Sequence, residues 1–72
     1  MEEKIIEILK RVFKEEAIDK TCSQENCKNW DSMNQLNLVI ELEDVFGITI
    51  EPEEIAEMKC FGDIVNIIKS KK

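Results

Sequence analysis

The chain contains no histidine, the side chain most often used as a general base near neutral pH and the commonest nitrogen ligand for metals. A serine or cysteine nucleophile here has no imidazole to activate it. Glycine occurs only twice, which leaves no glycine-rich loop to cradle a phosphate. No uninterrupted apolar run is long enough to span a bilayer. The opening Met1-Glu2-Glu3-Lys4 lacks the basic start and apolar core of a secretion signal, so the expected location is the cytoplasm. The three cysteines are odd in number, and without histidine a zinc site built on Cys22 and Cys27 lacks a fourth ligand. The expectation is three reduced thiols, two in a loop and Cys60 near a helix start. These absences argue against an enzyme acting on its own and against a metal site.

Basic residues are scarce in one part of the chain. Residues 1–30 carry six Lys/Arg against seven Asp/Glu, a net of −1, whereas residues 31–72 carry four against nine, a net of −5. Between Lys28 and Lys59 stand eight carboxylates and no basic residue. Such a surface repels a nucleic-acid backbone and complements basic protein partners. Acidic residues also keep a small domain soluble, which accounts for their total but not for their confinement beyond Asp31.

The 72 residues predict one domain, 1–72, with a core small enough that every apolar stripe matters. Ile5, Ile8, Leu9, Val12 and Phe13 repeat as one buried helical face, and Glu7 and Arg11 stand four apart for a surface pair. Periodicity fades after Ala17. Residues 19–29 are polar and rich in turn formers, a loop. A second helix is predicted from Ser32 to Phe46, stopped by Gly47. Ile48-Thr49-Ile50 alternates, as an extended crossing of the core. Glu51-Pro52-Glu53-Glu54 opens a short third helix ending near Met58. Phe61, Ile64, Val65 and Ile68 mark a fourth, with Lys69, Lys71 and Lys72 at its negative end. The expected fold is all-α, a four-helix bundle of three longer helices and one short one.

The second helix carries two apolar lines. At about 100° per residue, Leu38, Val39, Leu42, Val45 and Phe46 fall within roughly 120°, while Met33, Leu36 and Ile40 lie about 150° away. Glu43 and Asp44 flank the second line and Glu41 stands further round. An apolar line rimmed by charge marks a contact surface for a partner with an apolar groove and a basic rim. The plain alternative is that the loop or the third helix covers it.

At the head of this helix stands Trp30-Asp31-Ser32-Met33. A hydroxyl at a helix start faces unpaired N–H groups and the positive end of the dipole, a setting that favours a phosphate. The bland reading is a cap: Ser32-Met33-Asn34-Gln35 fits a capping box, with Gln35 reaching back to the serine N–H, and Asp31 can serve as the cap instead. Trp30 is either a lid over the helix start or a ring beside whatever Ser32 carries.

From Trp30 to Ile68 the chain resembles the acyl carrier protein family. The family's Asp-Ser-Leu motif reads Asp31-Ser32-Met33, its acidic helix end reads Leu42-Glu43-Asp44-Val45-Phe46-Gly47-Ile48, and Ile50-Glu51-Pro52-Glu53-Glu54-Ile55 resembles its short third helix. The resemblance implies a 4'-phosphopantetheine arm, taken from coenzyme A, on Ser32, with Asp31 presenting the serine to a phosphopantetheinyl transferase. It makes Met33, Leu36 and Ile40 the apolar and Glu41, Glu43 and Asp44 the acidic partner contacts, extended by Glu53 and Glu57. The implied partners are that transferase and acyl-activating and acyl-transferring enzymes with basic, apolar-grooved docking sites. The implied protein is a monomeric carrier, not an enzyme, with no nucleic-acid partner and no membrane insertion. The chain departs from the fatty-acid-synthesis carriers in its neutral Asn34, Gln35 and Asn37, in Trp30 before Asp-Ser, and in a shorter loop with two cysteines. These features are more similar to specialised stand-alone carriers. An aminoacyl, D-alanyl or peptidyl carrier shares the framework, and an unmodified helical interaction module in which Ser32 only caps is the remaining alternative.

Overall fold

The computed structural model describes residues 1–71, leaving Lys72 outside the described residues. Four helices follow in order: α1, Glu2–Phe13; α2, Ser32–Phe46; α3, Pro52–Glu57; and α4, Phe61–Lys71. The all-α architecture of three longer helices and one short one is the expected one. Among the described residues no strand forms, and the one extended pairing is an isolated antiparallel bridge between Ser23 and Cys60.

α1 opens with Glu2 and Glu3 and closes with Lys10 and Arg11 in its last turn, each charge opposing the local end of the dipole. It stops at Phe13, before the apolar period fades, because Lys14 turns into the left-handed region (φ 52°) and returns its N–H to the Lys10 carbonyl. Ile5, Ile8, Leu9 and Phe13 are buried, and α1 packs against both α2 and α4. Arg11 does not settle on Glu7 as its spacing suggested; its guanidinium reaches Glu41 on α2 at 2.8 Å. Arg11 is well exposed and Glu41 half-buried at the surface, so solvent screens the pair and it contributes at most about 1 kcal/mol. Burial of Leu38 and Leu42, both at zero exposure, contributes roughly 2 kcal/mol each. Apolar contact therefore holds α1 to α2, and the ion pair trims the edge.

α2 ends as predicted on Gly47, whose φ of 63° costs glycine least. Ile50 is then buried, Ile48 packs partly on the core and Thr49 stays exposed, the alternation read from the sequence. Val45 departs from expectation. It sits at the edge of the inward sector in the last turn and remains 38% exposed.

α3 buries none of its residues fully, so polar contacts bear more of its placement. The Glu54 carboxylate accepts the Glu51 N–H at 2.8 Å and meets the Lys71 ammonium at 2.8 Å. The Lys71 ammonium and the Glu51 N–H hold the Glu54 carboxyl below its ordinary value of 4.5.

The loop between α1 and α2 is more than a polar connection. Ile18, Cys22, Cys27 and Trp30 are all buried in the core. Gln24 N–H donates to the Lys59 carbonyl at 2.9 Å and Phe61 N–H to the Cys22 carbonyl at 2.8 Å, tying the loop to the segment between α3 and α4.

Candidate functional site

Asp31 is the N-cap of α2. Its carboxylate accepts the Asn34 N–H at 2.9 Å and its carbonyl accepts the Gln35 N–H at 2.8 Å. Ser32 is thus the first helical residue, and its hydroxyl takes no part in the cap. The side chain is exposed. No acidic residue occupies the first turn, so the positive end of the α2 dipole faces solvent beside Ser32 with only Asp31 to balance it.

The capping box that is the plain alternative for Ser32 and Gln35 does not form, because the Gln35 amide is engaged elsewhere. Its oxygen accepts Trp30 Nε1–H and Gln24 Nε2–H, both at 2.8 Å, and its nitrogen donates to the Ile55 carbonyl at 2.6 Å. Gln24 Nε2 also lies 3.3 Å from the Met58 carbonyl. One amide thereby joins the loop, α2 and α3. Trp30 is 5% exposed and packs on Phe13 with ring centroids 5.3 Å apart. It is a lid over the helix start, and part of it also borders the space next to Ser32.

That space is an open groove of about 570 Å³ lined by Gln24, Trp30, Asp31, Ser32, Gln35, Leu36 and Ile55. Its walls combine apolar surface with amide groups, and the exposed serine stands at its border. An anion on Ser32 Oγ would meet the unpaired N–H groups of the first turn, and a chain leading from it would find both apolar and amide surface. The residues present fit a phosphodiester-linked arm of that character. Sequence reasoning passed over Gln24 and Ile55 as groove residues and considered Gln35 only as a candidate capping partner of Ser32. No local pattern marks the first two, and the Ser-x-x-Gln spacing pointed the third toward a different bond.

The residues expected to meet a partner divide into two groups. Met33, Leu36 and Ile40 are 74%, 58% and 63% exposed, so neither the loop nor α3 covers this line. Asp44, Glu53 and Glu57 are exposed as well. Glu41 and Glu43 are half-buried and have internal duties: Glu41 pairs with Arg11, and Glu43 Oε2 accepts the Ile50 N–H at 2.9 Å. Among the described residues no group of three or more His, Cys, Asp or Glu side chains is placed to hold a metal ion, and no helix is long and apolar enough to cross a membrane.

A small helical bundle that presents one free serine at the start of an acid-rimmed helix defines a class of carrier domain. The comparisons with known proteins agree. The chain is 34% identical to the acyl carrier protein of Coprothermobacter proteolyticus, across 94% of this chain and 90% of that one. It is 34% identical to the acyl carrier protein of Exiguobacterium sibiricum, across 99% and 87%. Among solved structures, an acyl carrier protein of Thermotoga maritima superposes with a TM-score of 0.78 at 28% identity, covering 96% of this chain and 82% of its own. A Mycobacterium tuberculosis chain named for the same proteins superposes with a TM-score of 0.83 at 25% identity, covering 96% and 95%. A scan against models of protein families gave no match. The chain belongs to the acyl carrier protein family, whose members are carriers and not enzymes.

Proposed function

We propose that this protein holds an acyl group as a thioester on a 4'-phosphopantetheine arm joined to Ser32 Oγ and delivers it to partner enzymes. The observation that carries this reading is the freedom of the Ser32 hydroxyl: Asp31 does the capping, and the serine stands exposed at the rim of the groove. Ser32 Oγ attacks the pyrophosphate phosphorus of coenzyme A that bears the pantetheine; the new P–O bond makes the phosphodiester as the P–O–P bond breaks and adenosine 3',5'-bisphosphate leaves. The serine proton leaves to a base of the phosphopantetheinyl transferase, since this chain has no histidine to receive it. Asp31 fixes the helix start that presents Ser32 and offers the transferase a negative charge beside it. The arm supplies a terminal thiol for the thioester. Around the attachment point, the α2 N–H groups balance the phosphodiester charge.

Met33, Leu36 and Ile40 form the apolar stripe a partner would cover. Asp44, Glu53 and Glu57 supply free carboxylates for a basic rim, while Glu41 and Glu43 can join only by sharing or leaving their internal partners. Docked this way, the protein acts in the cytoplasm as a single monomeric domain.

The test is to incubate the full chain with coenzyme A and a broad-specificity transferase and to measure intact mass. One added phosphopantetheine is expected, and none on Ser32→Ala. Failure of the native chain to gain mass, under conditions that modify a control carrier, would return Ser32 to a structural role.

A further inference from the structure

Two side-chain amides meet at the wall of the groove beside Ser32, and their partners fix which way each one faces. The Trp30 indole N–H can only donate and the Ile55 carbonyl can only accept. The Gln35 amide therefore turns its oxygen to the indole at 2.8 Å and its nitrogen to the carbonyl at 2.6 Å. Gln24 must then offer its nitrogen to the Gln35 oxygen, which it does at 2.8 Å. The same nitrogen reaches the Met58 carbonyl at 3.3 Å.

A primary amide has a pair of N–H hydrogens and a pair of oxygen lone pairs. These contacts use both hydrogens of Gln24 and both lone pairs of Gln35. Left over are the Gln24 oxygen and one hydrogen on Gln35 Nε2, neither of which bonds to another described residue. Gln24 is exposed and Gln35 half-buried, and both line the groove with Trp30, Leu36 and Ile55 as its apolar wall. Gln24 is also held through its backbone, whose N–H donates to the Lys59 carbonyl at 2.9 Å. The free acceptor and the free donor are thus set in place before any ligand arrives.

We infer that Gln24 and Gln35 bind the phosphopantetheine arm in this groove by its amide groups. The inference rests on Ser32 carrying that arm and adds where the arm lies. An amide N–H of the arm donates to Gln24 Oε1, and an amide carbonyl of the arm accepts from Gln35 Nε2. The arm's branched methyl groups pack on Trp30, Leu36 and Ile55. A hydrocarbon tail laid over the same wall would strip water from the acceptor and the donor and return no bond to either. The wall therefore favours the amide-bearing arm over a plain acyl chain.

The test compares the full chain before and after a transferase loads an isotopically labelled arm, with intact mass confirming one arm. Nuclear Overhauser contacts between the arm's amide protons and the Gln24 and Gln35 side chains are expected, and the Trp30 Nε1–H signal should shift on loading. Gln24→Leu alters an exposed position, so it should keep its helical circular dichroism and accept the arm to the same mass. It should lose those contacts, and its Trp30 Nε1–H signal should match in the two forms. A loaded native chain with no contact between the arm and either glutamine would overturn the placement and leave the carrier reading intact. Contacts that persist in Gln24→Leu would overturn it as well. A native chain that gains no mass would remove both readings together. If the variant folds poorly, the contacts of the native chain decide.

Discussion

Gln35 is the residue on which three parts of the chain meet. Its amide accepts from Trp30 and Gln24 and donates to the Ile55 carbonyl. Gln35→Leu keeps a similar volume but leaves an indole N–H, an amide N–H and a carbonyl without that partner. A partly buried set of this kind should cost about 1–3 kcal/mol. Urea unfolding should show that loss, and Trp30 fluorescence in the folded state should shift as its Nε1–H loses its acceptor. A variant as stable as the native chain, with unchanged fluorescence, would mean that water replaces the amide without cost. None of this could be read from the sequence, because the partners of Gln35 stand five, eleven and twenty residues away. Asp31 is the opposite case: a cap needs only its own next turn, so its role lay in plain view three residues before Asn34.

At the scale of the element, α2 is a helix with two jobs. Its inward face buries Leu38, Val39 and Leu42, and its outward face leaves Met33, Leu36 and Ile40 in solvent. Ile40→Glu should therefore leave helical circular dichroism intact and stability within about 0.5 kcal/mol. Binding to the phosphopantetheinyl transferase should weaken on the order of tenfold, the loss of roughly 1.4 kcal/mol from one interfacial side chain. Unfolding of the variant would place Ile40 in the core and remove the stripe from the docking account. Both faces of α2 were legible from spacing, because a helix fixes angles by count alone, and its ends were legible from Asp31 and Gly47. Val45 was not, since an angle says which way a residue points but not whether a neighbour extends that far. The loop was least legible. Ile18, Cys22, Cys27 and Trp30 lie among turn-forming residues with no period, and their burial depends on α1 and α4 arriving from either end of the chain.

For the whole molecule, the excess of acid sets two opposite responses to salt. The chain carries ten Lys/Arg against sixteen Asp/Glu, and among the described residues three ion pairs form: Arg11 to Glu41, Lys20 to Glu2 and Lys71 to Glu54. Salt weakens these pairs, but exposed pairs contribute little. It also screens the mutual repulsion of carboxylates crowded between Asp31 and Glu57, where the sequence places no basic residue. The repulsion involves more charges than the pairs do, so added monovalent salt should raise the melting temperature. In the proposed docking, attraction runs between the same carboxylates and a basic partner, so binding should move the other way. The association rate with the transferase should fall steeply over the same salt series, with less change in dissociation. Thermal melts and stopped-flow binding on one set of samples measure both. A melting temperature that falls with salt would show that the three ion pairs outweigh the repulsion. An association rate indifferent to salt would put recognition on the apolar stripe of Met33, Leu36 and Ile40 and take the carboxylates out of it.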